Sequence, residues 1–259
     1  MRMMKKVLGT VTVLALSVSL LAGCGSTAVS PVSSTASTAA ESTTSSVVSE
    51  TTSAAADENA AAAAQLLNDL TGSYQELWPV ILADEYQQTW LDDCTALVGE
   101  ENAEAAFEKL SSMVTGDVYG EDAVEAYANG GGAYFCGFTN SLATLTFDGE
   151  TSTISGTDKD GNVLFSHTYH YIGMEPVRGL YEFESDDADS GEFTYFFLAP
   201  DTSAETYHIE FRYGSDAEAL SQYDAGEYAY WVASGISTDC DQTMIDNCIE
   251  LFCTENLAG

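Results

Sequence analysis

Residues 192–216 contain two runs in which large apolar side chains recur at every second position. Phe193, Tyr195 and Phe197 recur at every second position in the first half of this stretch. Ile209 and Phe211 belong to a second run with the same period. A period of two is typical of β-strands. Pro200 and the short polar residues 201–203 between the runs favour a turn, so the pattern predicts a hairpin.

Earlier in the chain the apolar period is that of a helix. From Leu66 to Ile81, apolar residues recur three and four positions apart, which predicts a helix that is kinked or restarted at Pro79. The same spacing predicts helices over residues 103–113 and 122–128.

From residue 133 the period changes to two, and turn signals appear at 148–149 and 158–162. Strands are predicted over residues 163–172 and 179–184, and a last helix is predicted to be capped at Ser237 or Thr238. Successive short strands with such turns predict an antiparallel barrel or sandwich, so the fold class is mainly β with flanking helices. The predicted parts are a helical part (58–128), a β-barrel (133–235) and a C-terminal helix (237–253).

The first residues have the three parts of a bacterial lipoprotein signal. A basic start (1–6) and a short apolar run (7–21) lead to Leu-Ala-Gly-Cys at residues 21–24. Cleavage after residue 23 would leave Cys24 to carry lipid, which anchors the chain to the membrane outside the cytoplasm. An ordinary secretory peptide is the alternative. Residues 24–57 are rich in Ser, Thr and Ala, which predicts a disordered tether.

The charge excludes one class of partner. From Cys24 onward the chain has 41 acidic and 4 basic residues, a net charge of −37. Such a chain repels phosphate backbones, so we expect no nucleic-acid binding. The acidity favours solubility first and attracts cations only diffusely.

No motif indicates catalysis. The sequence contains no G-x-S-x-G and no glycine-rich phosphate loop that leads into a helix, so we expect a non-enzymatic protein. The acidic turn at 158–162 lacks the glycine and glutamate spacing of a calcium loop. Beyond Cys24 there are five cysteines and no C-x-x-C, so disulfides are possible outside the cytoplasm but their pairing is open.

Four segments resemble the ZinT (YodA-like) family of zinc-binding proteins. F-T-Y-F-F-L-A-P at 193–200 and T-Y-H-I-E-F-R-Y-G at 206–214 resemble the family's core hairpin. Residues 67–82 resemble its first helix, and residues 177–184 resemble one of its strands. The resemblance spans roughly residues 65–253 and implies a lipocalin-like (calycin) barrel with helices packed at its side.

The resemblance also implies a zinc site, but most of the family's ligands are replaced. Its three metal histidines fall on Phe196, Thr206 and His208, so only His208 is kept. The resemblance further implies that Phe196→His and Thr206→His would strengthen zinc binding. The alternative for Phe196→His is that Phe196 fills a dry core, where the imidazole would be buried unpaired and would destabilise the fold.

Zinc takes three or four converging N, S or O ligands. The chain has three histidines, His167, His170 and His208, and the first two lie on opposite faces of their predicted strand. A rebuilt metal site would use His208, one of the other two, and Glu205 or Glu210. The alternative is that His208 only stabilises the scaffold.

Two functions follow from these observations. One is an extracytoplasmic, lipid-anchored protein that binds zinc weakly, for buffering or for delivery to a metal-uptake transporter. The other is a calycin barrel without metal that binds a small apolar ligand or a surface partner.

Overall fold

The structure is a computed structural model that describes residues 47–200 and 208–258, with side chains from residue 58 onward. The predicted signal peptide, Cys24 and the turn at 201–203 lie outside the described residues. Within the described part of the chain, no helix combines the length and the apolar character that crossing a bilayer requires.

Eight antiparallel strands form a closed barrel in which each strand pairs with its neighbours in sequence and β1 pairs with β8. The predicted fold class, a calycin-like barrel with flanking helices and a C-terminal helix, is confirmed. The strands are β1 (Gly72–Glu76), β2 (Thr144–Asp148), β3 (Thr153–Thr157), β4 (Val163–Met174), β5 (Tyr181–Ser185), β6 (Tyr195–Leu198), β7 (His208–Gly214) and β8 (Ala233–Ser237). The helices are α1 (Val47–Asp69), α2 (Leu77–Ile81), α3 (Gln87–Val98), α4 (Ala103–Ser112), α5 (Glu121–Ala128), α6 (Ala217–Leu220) and α7 (Gln242–Leu257).

Strand β1 corrects the predicted helix from Leu66 to Ile81. Gly72 takes a φ of 147°, which L side chains rarely adopt, and the helix ends just before it. Tyr74 then lies between Leu145 of β2 and Ser237 of β8. The three- and four-residue spacing across this segment belongs to the end of the long helix α1 and to the short helix α2, with strand β1 between them. The strand is stabilised by pairing partners far away in the sequence.

Aromatic side chains fill the barrel interior. The ring of Phe196, which is fully buried, lies with its centroid 5.4 Å from those of both Tyr169 and Tyr213. Large inward rings come from six of the eight strands, and together they form one apolar core. They include Tyr74, Phe147, Phe165, Tyr169, Phe183, Phe196, Phe211 and Tyr213.

A second apolar cluster lies between the outer face of β8 and the helices α2, α3, α4 and α7. Trp90 of α3 is fully buried there and donates from its indole nitrogen to the carbonyl of Ile81 at 2.7 Å. Ile236 of β8 and Ile249 of α7 are also fully buried in this cluster. Helix α3 lies within the predicted helical part (58–128), but no separate helix was predicted there, because its apolar positions are few and its burial comes from its neighbours.

Two predicted boundaries differ from the structure. Helix α1 begins at Val47, inside the segment 24–57 that we predicted as a tether, and it continues through the alanine run at 60–64, where helix propensity is highest. The last helix is capped by Asp241, whose carboxylate accepts from the Met244 N–H at 3.0 Å. The predicted cap Ser237 instead ends β8, where it pairs with Tyr74.

We predict that Gly149→Ala will destabilise the fold by about 1–3 kcal/mol, because α1 lies directly against the turn after β2. A Cβ at Gly149 would lie 2.6 Å from the backbone nitrogen of Asn68 and the carbonyl oxygen of Leu67. Gly132→Ala is the matched control, since a Cβ there meets nothing within 4 Å, and it should change stability by less than about 1 kcal/mol. Urea denaturation of both variants checks this. Equal stabilities would contradict the packing of α1 on the turn.

Candidate metal site

His208 and Glu210 lie on one face of β7. The residues between and after them, Ile209 and Phe211, are buried in the barrel interior, so the strand's alternation directs His208 and Glu210 outward. Both side chains are half-buried. Two donors at positions i and i+2 of a strand are close enough to bind one ion together.

The surroundings of this pair come from β8 and the helical layer. His208 lies opposite Ile236, and Glu210 lies opposite Ser234. Burial, followed by the negative charge of Glu210, raises the pKa of the Cys136 thiol and that of the Cys248 thiol to about 12 each.

Phe196, the first family ligand position, lies on the other face of the barrel wall. It pairs with Tyr213, whose side chain is inward, whereas His208 is outward. A histidine at position 196 would therefore enter the aromatic core and would not approach His208. The structure therefore favours the alternative in which the imidazole of Phe196→His is buried in a dry core.

The other two histidines do not meet His208. They belong to β4, and β5 and β6 separate that strand from β7. The prediction that they occupy opposite faces is confirmed. His167 lies on the inward face with Phe165, and its Nδ1 is 2.8 Å from the carboxylate of Asp187. His170 is outward, and its Nδ1 is 2.7 Å from the carboxylate of Asp186.

The described residues do not complete a zinc site. Among them, no group of three or more His, Cys, Asp or Glu side chains is arranged to hold a metal ion. Strand β7 supplies two candidate donors, His208 and Glu210, where zinc takes three or four. The remaining candidates at 205 and 206 lie outside the described residues, so they stay predictions from the sequence.

A buried polar cluster lies beside this part of the barrel, and sequence analysis missed it. Arg212 is fully buried on the outer face of β7, where its guanidinium donates to the carbonyls of Leu220 and Tyr228. It lies 4.4 Å from the ring centroid of Tyr223, and Arg178 lies 4.2 Å from the same ring. These contacts fix the loop after α6 against the barrel. The amino-acid composition could have pointed to this cluster, since Arg178 and Arg212 are the only arginines after the signal peptide.

Glu175 neutralises part of this charge. It is fully buried and accepts from the backbone N–H groups of Val177 and Arg178, each at 2.7 Å. The Tyr223 hydroxyl donates to it at 3.3 Å. Because its oxygens are already engaged, this carboxylate is part of the scaffold rather than a metal ligand.

We predict that Phe196→His will cost about 3 kcal/mol or more, because the imidazole would be buried among rings without a hydrogen-bond partner. Phe196→Leu is the control for lost volume and should cost about 1–2 kcal/mol. The difference is measured by chemical denaturation with and without zinc. If zinc raises the free energy of unfolding of Phe196→His and not that of Phe196→Leu, position 196 reaches the metal. That result would contradict the inward placement of this side chain.

Comparison with family models and with curated proteins gives no match. Two solved structures are similar. The Zn(II)-bound ZinT-like domain of Streptococcus pneumoniae AdcA is 16% identical with a TM-score of 0.45, and the match covers 71% of this chain and 89% of that one. Zn(II)-bound AdcA from Streptococcus pneumoniae is 16% identical with a TM-score of 0.41, covering 72% of this chain and 35% of that one.

Proposed function

We propose that this chain is an extracytoplasmic, lipid-anchored, non-enzymatic protein that binds zinc or a similar divalent ion weakly. It would buffer the ion or pass it to a metal-uptake transporter. The observation that carries the proposal is the pair His208 and Glu210 on the outward face of β7. His208 is the family ligand position that the sequence retains.

Weak binding follows from the number of donors. Imidazole and carboxylate are both zinc ligands, but two of them leave at least one coordination position to water or to residues 201–207. Each missing protein ligand removes a large part of the binding free energy. We therefore expect a dissociation constant that is micromolar or weaker.

The charge of the chain supports a role with cations. A net charge of −37 after Cys24 raises the local concentration of divalent ions and speeds their encounter with the protein. This attraction is not selective, so selectivity would come from His208, whose imidazole favours zinc and other transition metals over calcium and magnesium. A weakly held ion also exchanges readily, as buffering or delivery requires.

The packing of the barrel interior argues against one part of the second hypothesis, the binding of a small apolar ligand inside the barrel. The inward positions of the described strands are occupied by rings such as Phe147, Phe183 and Phe211, each at most 1% exposed. Side chains thus take the volume that a small apolar ligand would need. What remains of this hypothesis is a surface partner, for which the most exposed large apolar residues of the described part, Val163 and Val177, are candidate contacts.

We predict that calorimetric titration with zinc gives binding at micromolar or higher concentration. His208→Ala should weaken it at least tenfold, and Glu210→Gln should weaken it less, because the amide oxygen remains a poorer ligand. His170→Ala is the matched control and should bind like the parent protein, since its partners are Asp186 and Glu184 on another strand pair. If zinc binding is lost in His170→Ala and is unchanged in His208→Ala, the proposal is overturned. If neither the parent protein nor any variant binds zinc in the titration, the surface-partner hypothesis is favoured.

We predict that the mature protein carries a diacyl or triacyl group on Cys24, because the signal sequence ends in Leu-Ala-Gly-Cys. Intact-mass measurement of the membrane fraction checks this. The Cys24→Ser variant, which cannot form the thioether, should lose the adduct. A lipid-free product cleaved at another residue would contradict the anchor while leaving the zinc proposal open.

A further inference from the structure

Two thiols meet in the helical layer, away from the candidate metal site. Cys94 lies in α3 and Cys253 lies in α7, and their sulfur atoms are 3.9 Å apart. Both side chains are fully buried, at 0% exposure. In the described part of the chain, no other two sulfur atoms make such a contact.

The contact is close to what a disulfide needs. The bond is about 2.05 Å long, and the 3.9 Å between these two sulfurs shows that the folded backbone places the two side chains within reach of one another. The pair is separated by 159 residues in sequence. A bond across so long a loop restricts the unfolded chain strongly.

The interface between α3 and α7 also contains repulsion that such a bond would oppose. Burial, and after it the negative charges of Glu250 and Asp246, raises the pKa of Asp93, the residue next to Cys94. Acidic groups from both helices therefore face one another. A covalent link would hold the helices together against this repulsion.

We propose that Cys94 and Cys253 form a structural disulfide that joins α3 to α7 when the chain folds outside the cytoplasm. The proposal uses the extracytoplasmic location of the proposed function but is independent of metal binding. It leaves Cys136, Cys240 and Cys248 as thiols, in agreement with the odd number of cysteines after Cys24.

The oxidant is a disulfide, such as a thiol–disulfide oxidoreductase or glutathione disulfide. One cysteine, as thiolate, attacks the oxidant's S–S bond and forms a mixed disulfide, and one thiol leaves. The second cysteine then attacks the first protein sulfur, forms the Cys94–Cys253 bond and releases the second thiol. The two cysteine protons end on the two released thiols, and the two electrons reduce the oxidant.

The bond must form before the layer closes. In the folded chain both sulfurs are out of reach of an oxidant, and burial raises the pKa of the Cys94 thiol and of the Cys253 thiol. A chain that folds in the reduced state would thus stay reduced, and one that folds oxidised would resist reduction.

The test is refolding of the full chain from the reduced, unfolded state in a mixture of reduced and oxidised glutathione. After alkylation in guanidinium, cleavage at glutamate places Cys94 in residues 86–100 and Cys253 in residues 251–255, separate from Cys248. We expect these two peptides to be linked and to separate on reduction, with Cys136, Cys240 and Cys248 alkylated throughout. Alkylation of Cys94 and Cys253 before reduction, or linkage of another pair, overturns the proposal.

The same mapping on protein isolated from the membrane fraction tests whether the bond forms in the cell, and a reduced pair there overturns that part. In thermal unfolding, the oxidised protein should melt on the order of 10 °C above the protein that was folded reduced. The control Cys240→Ala should keep this difference, and Cys94→Ala should lose it. If Cys94→Ala does not fold, the peptide mapping on the parent protein still decides. Loss of zinc binding with the bond intact would count against the proposed function alone.

Discussion

Strand β1 closes the barrel by pairing with β2 on one side and with β8 near the other end of the chain. Closure removes both sheet edges and forces every second residue of all eight strands into one enclosed interior. That interior has a fixed volume, and rings such as Phe196, Phe211 and Tyr213 occupy it. The face to which each residue belongs is therefore set for the whole barrel at once.

This assignment of faces decides what the family ligand positions can do. Phe196 is inward and His208 is outward, although the hairpin motif brings them close in sequence. The proposed zinc binding thus depends on the outward pair His208 and Glu210. His167 and His170, three strands away, have their own carboxylate partners.

The outer face of the barrel carries the rest of the chain. Arg212 holds the loop after α6 through backbone carbonyls, and the helices around Trp90 cover β8. Arg212 and Trp90, the two side chains that are buried in these contacts, belong to residue types that are rare in this acidic chain. A disulfide between Cys94 and Cys253 would add a covalent link to the helix pair in this layer.

The sequence by itself determined the elements whose periodicity is local: the alternation in β4 and β7, the opposite faces of His167 and His170, and the mainly β fold with flanking helices. It placed a helix across β1, and within the predicted helical part (58–128) it gave no separate helix for α3, because those segments owe their conformation to partners distant in sequence. It named His208 as the retained ligand position, yet the tertiary structure decided that Phe196 faces away from it. Likewise only the packing of α3 on α7 brings Cys94 to Cys253, since a spacing of 159 residues carries no information about distance until the layer has folded.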